Sequence, residues 1–159
     1  MGQRFPGLEL KIITIGRPQK DIEKLASEFS KKIAAYASVE LLHIKESKRR
    51  SPAERKAEEG RLVLSKIKPD DFLVALDERG TELSTAAFAE QLEQLLYSQK
   101  SFVFVIGSDA GLSKEVLNRA QLVLSLSKFT LAHQVALLVL LEQLYRVLTL
   151  LAGHPYHRA

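Results

Sequence analysis

The chain of 159 residues contains no cysteine at all and only one methionine. The lack of cysteine excludes disulfide scaffolds, thiolate metal sites and cysteine nucleophiles, and it suits a reducing cytoplasm. Long apolar runs are also missing: the most apolar stretch, 135–141, is far shorter than the ~20 residues that span a bilayer. The N-terminal sequence MGQRFPGLEL has no apolar core of signal-peptide length. We therefore expect a cytoplasmic protein without a membrane segment.

The remaining composition is that of a globular protein, with 46% hydrophobic and 26% charged residues and a mean hydropathy of −0.04. The length is close to the ~150 residues of one average domain, and no linker, repeat or low-complexity segment divides the chain. We expect a single domain over residues 1–159. The net charge of +4 and the pI of about 9.3 permit an anionic partner without demanding one.

Short apolar runs rich in β-branched residues alternate along the chain with segments whose apolar residues recur every three or four positions. The first pattern predicts strands and the second predicts helices. The predicted strands are 8–15, 39–44, 71–76, 102–106 and 122–126, and four predicted helices are 22–36, 53–67, 113–120 and 132–152. A further helix is predicted after a cap at Ser84 or Thr85, with Phe88, Leu92 and Leu95 or Leu96 on its core face. The unbroken apolar run FVFVI is typical of a central parallel strand that is covered on both faces. The alternation predicts an α/β fold, in which helices cover both faces of a parallel five-stranded sheet.

Ligands of such sheets bind beyond the carboxyl ends of the strands. This rule selects the segments after Leu76, Ile106 and Leu126. Gly107 and Gly111 follow the central strand directly, and glycine there permits either a close approach by a ligand or a tight turn. Their spacing matches neither a dinucleotide fingerprint nor a Walker A loop, so the sequence leaves both interpretations open.

The segment 125–131, SLSKFTL, is unusual for a link between a strand and a helix, because hydroxyl and apolar side chains alternate in it. A ligand could bond its backbone groups, or Thr130 could cap the helix that follows. His133 begins that helix and is the histidine best placed for chemistry, whereas His43 lies on a strand and is expected to be packed. No motif with metal-ligand spacing occurs, so we expect no metal site.

The last predicted helix is apolar on nearly every side, although a surface helix should show one apolar stripe. Burial inside one core would require more layers than five strands provide. We therefore expect a second copy of the chain to cover this helix in a symmetric homodimer.

Two groups of residues have the chemistry to bind RNA. Basic residues cluster at Lys45, Lys48, Arg49, Arg50, Arg55, Lys56 and Arg61, and the tail carries His154, Tyr156, His157 and Arg158. The basic cluster alone favours a solvated face, with contact to RNA phosphates as the functional alternative. Most tails are disordered, yet this one has residue types that stack on bases and bind phosphates.

Four segments occur in order along the chain: FVFVIGSDAG, LSLSKFTLAH, LLEQLYR and GHPYHR. Together they resemble the ribosomal RNA large subunit methyltransferase H family of the SPOUT superfamily, and the resemblance covers nearly the whole chain. It implies a homodimer that uses S-adenosylmethionine to methylate N3 of a pseudouridine in helix 69 of 23S ribosomal RNA, on assembled ribosomes. It also implies a deep trefoil knot in the C-terminal part, which topological rules alone would not predict.

The resemblance implies cofactor contacts at the ends of the same three strands. The corresponding residues are Leu76, Gly107, Leu126, Ser127, Lys128, Phe129, Thr130 and Leu131. Methyl transfer requires an aligned donor and acceptor and removal of the N3 proton, for which the candidates are His133, His157 and Arg158. The candidate RNA-binding residues are Tyr156, His154, Arg49 and Arg50.

The chain departs from the family pattern at two places. Ser108 stands where the family usually has a second glycine, and Leu137 stands where it often has an arginine. Ser108 is expected to narrow the glycine loop, and Leu137 to remove a cation near the site. These departures support an alternative from another class, an RNA- or ribosome-binding protein of the same fold with weakened catalysis. A nucleotide-binding α/β regulator is a third interpretation.

Overall fold

The computed structural model describes residues 4–157. Within them, strands and helices alternate from end to end, and the predicted α/β class is confirmed. The strands are β1 (Glu9–Ile15), β2 (Ser38–Ile44), β3 (Phe72–Glu82), β4 (Ser101–Ile106) and β5 (Leu122–Ser125). The helices are α1 (Lys20–Ile33), α2 (Pro52–Leu64), α3 (Thr85–Leu95), α4 (Lys114–Arg119) and α5 (His133–Leu151).

The five strands form one parallel sheet in the order β2-β1-β4-β3-β5, so β4 is central as its sequence predicts. Side chains alternate across the sheet because successive strand residues face opposite sides. Phe102 and Phe104 of β4 join the larger apolar cluster, to which α5 contributes most of its buried residues. Val103 and Val105 join the second cluster, with Val63 of α2 and residues of α4.

Strand β3 is longer than the prediction, which ended it at Leu76 and placed a turn at 77–80. That boundary is wrong, because β5 pairs with β3 twice: Leu124 is opposite Leu76 and again opposite Thr81. Residues 77–80 are the irregular segment between these two registers. The sequence DERG has no apolar alternation, so local pattern alone could not reveal this second pairing.

Helix α5 has an apolar stripe that is covered within its own chain, by α1, α3 and the sheet. Its fully buried residues are Leu137, Leu140, Leu141, Leu144, Val147, Leu148 and Thr149. The inference that a second copy must cover the helix on all sides is therefore wrong for this face. Val135, which is 45% exposed, lies outside the stripe.

Helix α5, with 19 residues, is also long and apolar enough to cross a membrane, and its most apolar 18 residues have a mean hydropathy of 1.5. In this fold it is a core helix packed on α1 and α3. Glu142 and Arg146, one turn apart in its middle, form an ion pair at 3.0 Å.

Candidate functional site

Three neighbouring strands, β4, β3 and β5, end at the same edge of the parallel sheet. This arrangement brings together the loop after β4 at Gly107, the point in β3 where the register shifts after Leu76, and the segment after β5 at Leu126. We call residues 76–78, 107–112 and 125–133 the strand-end site. It contains all the residues for which the sequence predicts cofactor contacts.

The loop after β4 folds back tightly on itself. A Cβ atom added at Gly107 would lie 3.0 Å from the carbonyl carbon of Gly111 and 3.1 Å from the side chain of Leu112. The backbone N–H of Gly111 donates to the carbonyl of Ser108 at 2.9 Å, and Gly111 itself has φ +84°. The close packing of the loop therefore favours glycine at 107, whether or not a ligand also approaches it.

Ser108 has its hydroxyl occupied inside the protein. The residue is 8% exposed, and its Oγ donates to Oε1 of Glu59 at 2.9 Å. The same Oγ accepts the N–H of Ala110 at 3.3 Å. The side chain is therefore used as a partner of α2, and this geometry gives no support to the expectation that Ser108 narrows the loop.

Glu59 is a buried carboxylate that joins two loops. It is 1% exposed, and while Oε1 bonds Ser108, Oε2 accepts the backbone N–H of Ser47 at 2.9 Å. Ser47 belongs to the basic loop, residues 45–51, so one side chain ties the basic loop to the strand-end site. Sequence reasoning missed Glu59, because nothing in the charged run AERKAEEGR marks one glutamate as buried.

The segment 125–131 is held by its own hydroxyl groups and by β3. Ser125 Oγ donates to the carbonyl of Ser127, and the N–H of Phe129 donates to Ser127 Oγ, both at 2.9 Å. Thr130 Oγ1 donates to Oε2 of Glu78 at 2.5 Å. The proposed capping role of Thr130 is wrong, because α5 has its N-cap at Ala132 without a side-chain cap.

Several candidate cofactor residues in this segment are open to a ligand or to a second chain. Phe129 is 82% exposed, and the side chain of Lys128 is 87% exposed, with its Nζ 3.8 Å from Glu82. Leu131 is half-buried against the larger core cluster. Leu126 lines a cavity of about 320 Å³ between β5, α3 and α5, a volume at the lower end of small-molecule sites.

Asp77 places a negative charge directly after Leu76. Hydrogen bonds from Arg79, at 3.0 and 3.1 Å from its side chain, hold the pKa of the Asp77 carboxyl below its ordinary value. Burial acts against this shift, and the charge of Lys56 adds to it. The carboxylate is ionised at neutral pH. Sequence reasoning missed Asp77 because the residues that follow Leu76 were assigned to a turn.

His133 is the first residue of α5 and directly follows the 125–131 segment. Its neighbour Gln134 accepts the backbone N–H of Gln19, the N-cap residue of α1, at 2.7 Å. The starts of α1 and α5 therefore meet beside the strand-end site. Leu137, one turn further along α5, is fully buried in the core, so this position offers no group to the site.

The tail packs on the end of its own α5. The ring of Tyr156 lies 4.7 Å from that of Tyr145, and the Arg146 guanidinium lies 4.8 Å from the Tyr156 ring. His157 Nδ1 is 3.3 Å from Nη1 of Arg146, and the N–H of His154 donates to the carbonyl of residue 149 at 2.8 Å. Arg158, the third candidate catalytic residue, lies outside the described residues.

One chain does not bring the tail to His133. Arg146, which contacts Tyr156 and His157, is 13 residues along α5 from His133. At 1.5 Å per residue this separation is about 20 Å. His133 and His157, the two catalytic candidates within the described residues, therefore lie toward different ends of one helix.

Arg49 and Arg50 lie in the basic loop, where part of their bonding capacity is used locally. Arg49 Nε pairs with Oε2 of Glu58 at 2.9 Å, and this contact lowers the pKa of Glu58. Arg55 Nη1 donates to the carbonyls of Arg49 and Arg50 at 3.4 and 3.1 Å. Both side chains remain exposed, so an RNA contact is compatible with their positions. Across residues 4–157, no group of three or more histidine or acidic residues could hold a metal ion.

Comparison with known proteins gives the chain a family. The family model described as "Predicted SPOUT methyltransferase" matches residues 8–157. A ribosomal RNA large subunit methyltransferase H from Anaeromyxobacter sp. (strain Fw109-5) is 39% identical over 153 residues, covering 95% of this chain and all of that protein. A protein of the same name from Gloeobacter violaceus is 35% identical over 151 residues, covering 94% and 99%.

The fold has a solved neighbour. The structure of a putative methyltransferase from Legionella pneumophila, in complex with bound SAM, matches with a TM-score of 0.50 at 12% identity. The match covers 88% of this chain and 66% of that one, and at this identity it supports the fold alone. The family model and the curated relatives, which match over nearly their full length, identify the family. The chain belongs to the ribosomal RNA large subunit methyltransferase H family of SPOUT methyltransferases.

Proposed function

We propose that the chain is an S-adenosylmethionine-dependent methyltransferase acting on 23S ribosomal RNA. The observation that carries the proposal is the meeting of three strand ends beside His133, in a chain whose relatives are named as large-subunit RNA methyltransferases. The Legionella neighbour, which shares the fold, is described with bound SAM.

The residues of the strand-end site fit such a cofactor. The cavity at Leu126 gives space for part of a small molecule, and the carboxylate of Asp77, paired with Arg79, lies directly after Leu76. Leu76, Gly107 and the 126–131 backbone would hold the cofactor. When bound, S-adenosylmethionine supplies an electrophilic methyl group on a sulfonium. The protein then contributes mainly alignment of donor and acceptor, which can account for much of the rate enhancement.

The proposed acceptor is N3 of a pseudouridine in helix 69, in the assembled ribosome. This finer assignment is supported by the sequence resemblance, including the tail GHPYHR. The N3–H proton has to leave as the methyl group arrives, so a base or a stabilising cation is needed. His133 lies on the strand-end side, while His157 and Arg158 would act from the tail, where Tyr156 and His154 are suited to hold the RNA.

A homodimer would unite the two groups of catalytic candidates. Within one chain about 20 Å of helix separates the Arg146 end of α5 from His133, whereas a symmetric partner can bring its tail to the strand-end site of the first chain. Exposed Phe129 and Val135, close to His133 along the chain, are available for this contact. We also propose the SPOUT trefoil knot for the region where 77–82 contacts 125–131, and cytoplasmic ribosomes as the place of action.

The test is methyl transfer from labelled S-adenosylmethionine to purified 70S ribosomes, isolated large subunits and free 23S RNA. We expect transfer to ribosomes, with 3-methylpseudouridine as the labelled nucleoside in mass spectrometry. Binding to ribosomes without transfer would support the alternative of an RNA-binding protein with weakened catalysis. Absence of S-adenosylmethionine binding in calorimetry would overturn the proposal and favour another nucleotide ligand.

A further inference from the structure

A larger cavity lies outside the strand-end site. It has a volume of about 690 Å³ and opens at the carboxyl ends of β1 and β2. Because the sheet is parallel and β1 is paired with β4, this cavity lies at the same edge of the sheet as the Gly107 loop. We call it the β1–β2 cleft. None of the residues predicted to contact the cofactor lines it, and Lys45 and Lys48 belong to the basic cluster for which the sequence leaves contact with RNA phosphates open.

The cleft has an excess of positive charge. Arg17, Lys45 and Lys48 line it, against a single carboxylate from Glu46. Lys45 and Lys48 are exposed, and the side chain of Arg17 is 75% exposed, with only a 3.4 Å contact to Glu23. Three accessible cations around one open cavity are suited to a polyanion, whose phosphates need several positive groups along a path.

A half-buried imidazole lies among these cations. His43 lines the cleft, and its Nδ1 is 2.5 Å from Thr14 Oγ1. Burial lowers the pKa of His43, so its ring is neutral at neutral pH. A neutral aromatic ring beside cations is the combination with which proteins hold unpaired RNA bases.

Hydrogen bonds connect the cleft to both parts of the strand-end site. Ser47 lines the cleft, and its N–H bonds the Glu59 carboxylate that also bonds Ser108 in the Gly107 loop. On the other side, Gln19 follows the cleft segment by two residues and bonds Gln134 beside His133. A ligand in the cleft is therefore positioned relative to the methyl-transfer groups by fixed contacts.

We propose that the β1–β2 cleft binds a segment of the RNA substrate next to the target nucleotide. Lys45, Lys48 and Arg17 contact its phosphates, and His43 contacts a base. This inference rests on the proposed function and adds the path of the RNA, which leads from the strand-end site across β1 to β2.

The experiment compares two double variants that lose the same charge. In K45Q/K48Q both cations of the cleft are removed. In K66Q/K100Q two exposed lysines are removed at the opposite edge, where β3 and β4 begin. We measure binding to purified ribosomes by sedimentation, the KM for ribosomes, and S-adenosylmethionine affinity by calorimetry.

For K45Q/K48Q we expect at least a tenfold rise in the KM for ribosomes and a matching loss of binding. The slope of log affinity against log salt should fall by about 0.7 for each lost contact to single-stranded RNA. Cofactor affinity should equal that of the wild type, and K66Q/K100Q should behave as the wild type. H43A should also raise the KM, without changing the salt slope.

Equal KM values and salt slopes for the two double variants, with an active wild type, would overturn the cleft assignment and leave the proposed function standing. A wild type that neither binds ribosomes nor transfers methyl groups would overturn both.

Discussion

At the residue scale, Gly107 is a position in the strand-end site with little space for any side chain. A methyl group there would meet the backbone of Gly111 at 3.0 Å, and backbone cannot rotate away as a side chain can. We expect G107A to keep its circular dichroism spectrum but to lose at least tenfold in S-adenosylmethionine affinity, about 1.4 kcal/mol, measured by calorimetry.

The control for this variant is G153A. Gly153 has φ +75° with open space around it, so alanine strains the backbone without a clash, at the far end of α5. It should lose stability by about 1 kcal/mol and bind the cofactor as the wild type does. If G107A also binds normally, the loop is only a turn and the proposed cofactor contact at Gly107 is wrong.

Glu59 is the second residue with a sharp expected effect. Alanine there leaves the N–H of Ser47 and the hydroxyl of Ser108 without their acceptor, which costs about 1–3 kcal/mol for a buried donor. We expect E59A to lower the thermal midpoint by several degrees and to raise the KM for both substrates. E59Q should restore most of the thermal midpoint and of the KM values, because the amide of glutamine can accept from the N–H of Ser47 and donate to the hydroxyl of Ser108.

E58A serves as the matched control. Glu58 is the adjacent acid, and its pair with Arg49 is open to solvent, so its loss should change the thermal midpoint far less than the loss of Glu59. Identical midpoints and KM values for E59A and E58A would show that the buried carboxylate does not connect the two loops.

At the element scale, α5 shows what apolar periodicity can and cannot predict. The pattern predicts a helix over 132–152, and the structure has it over His133–Leu151. The same pattern cannot tell whether α1 and α3 or a second chain covers the helix, because that depends on how the chain crosses the sheet. The predicted turn after Leu76 is wrong for a similar reason, because the second partner of β3 is β5, more than forty residues away.

The part of α5 left open carries the prediction about assembly. Val135 is 45% exposed near His133, and lysine there would place an unpaired charge in an apolar dimer contact, at a cost of several kcal/mol. We expect the wild type to scatter light as a dimer at micromolar concentration and V135K to dissociate. L62K is the control, since Leu62 is 42% exposed on α2, on the other face of the sheet. A monomeric wild type, or equal behaviour of V135K and L62K, would refute this interface.

At the scale of the whole molecule, much of the fold follows from the sequence. Alternating periods predict the α/β class and the central position of β4, and the rule of strand ends selects the edge where Leu76, Gly107 and Leu126 meet. The strand order does not follow, because β5 lies beside β3 only through a crossover that no local pattern encodes. The trefoil knot is expected only from the resemblance to the family, because general rules of chain topology argue against knots.

The parts of the site that escaped prediction depend on distant partners. Thr130 bonds Glu78, which is 52 residues away, and Ser108 bonds Glu59, 49 residues away. A hydroxyl in a loop has the same local sequence whether it caps a helix, binds a ligand or bonds a remote carboxylate. The residue types of the tail are visible in the sequence, but the contacts of Tyr156 and His157 with Arg146 could not be predicted because they depend on the fold.

The most direct measurement of the central claim is the amount of methyl group transferred to ribosomal RNA in a single assay. Purified chain, labelled S-adenosylmethionine and ribosomes that lack the modification are incubated, and the 23S RNA is isolated and counted. The account predicts label in 23S RNA that approaches one methyl group per ribosome, and none when the cofactor is left out. Tight cofactor binding with no label in the RNA would contradict it.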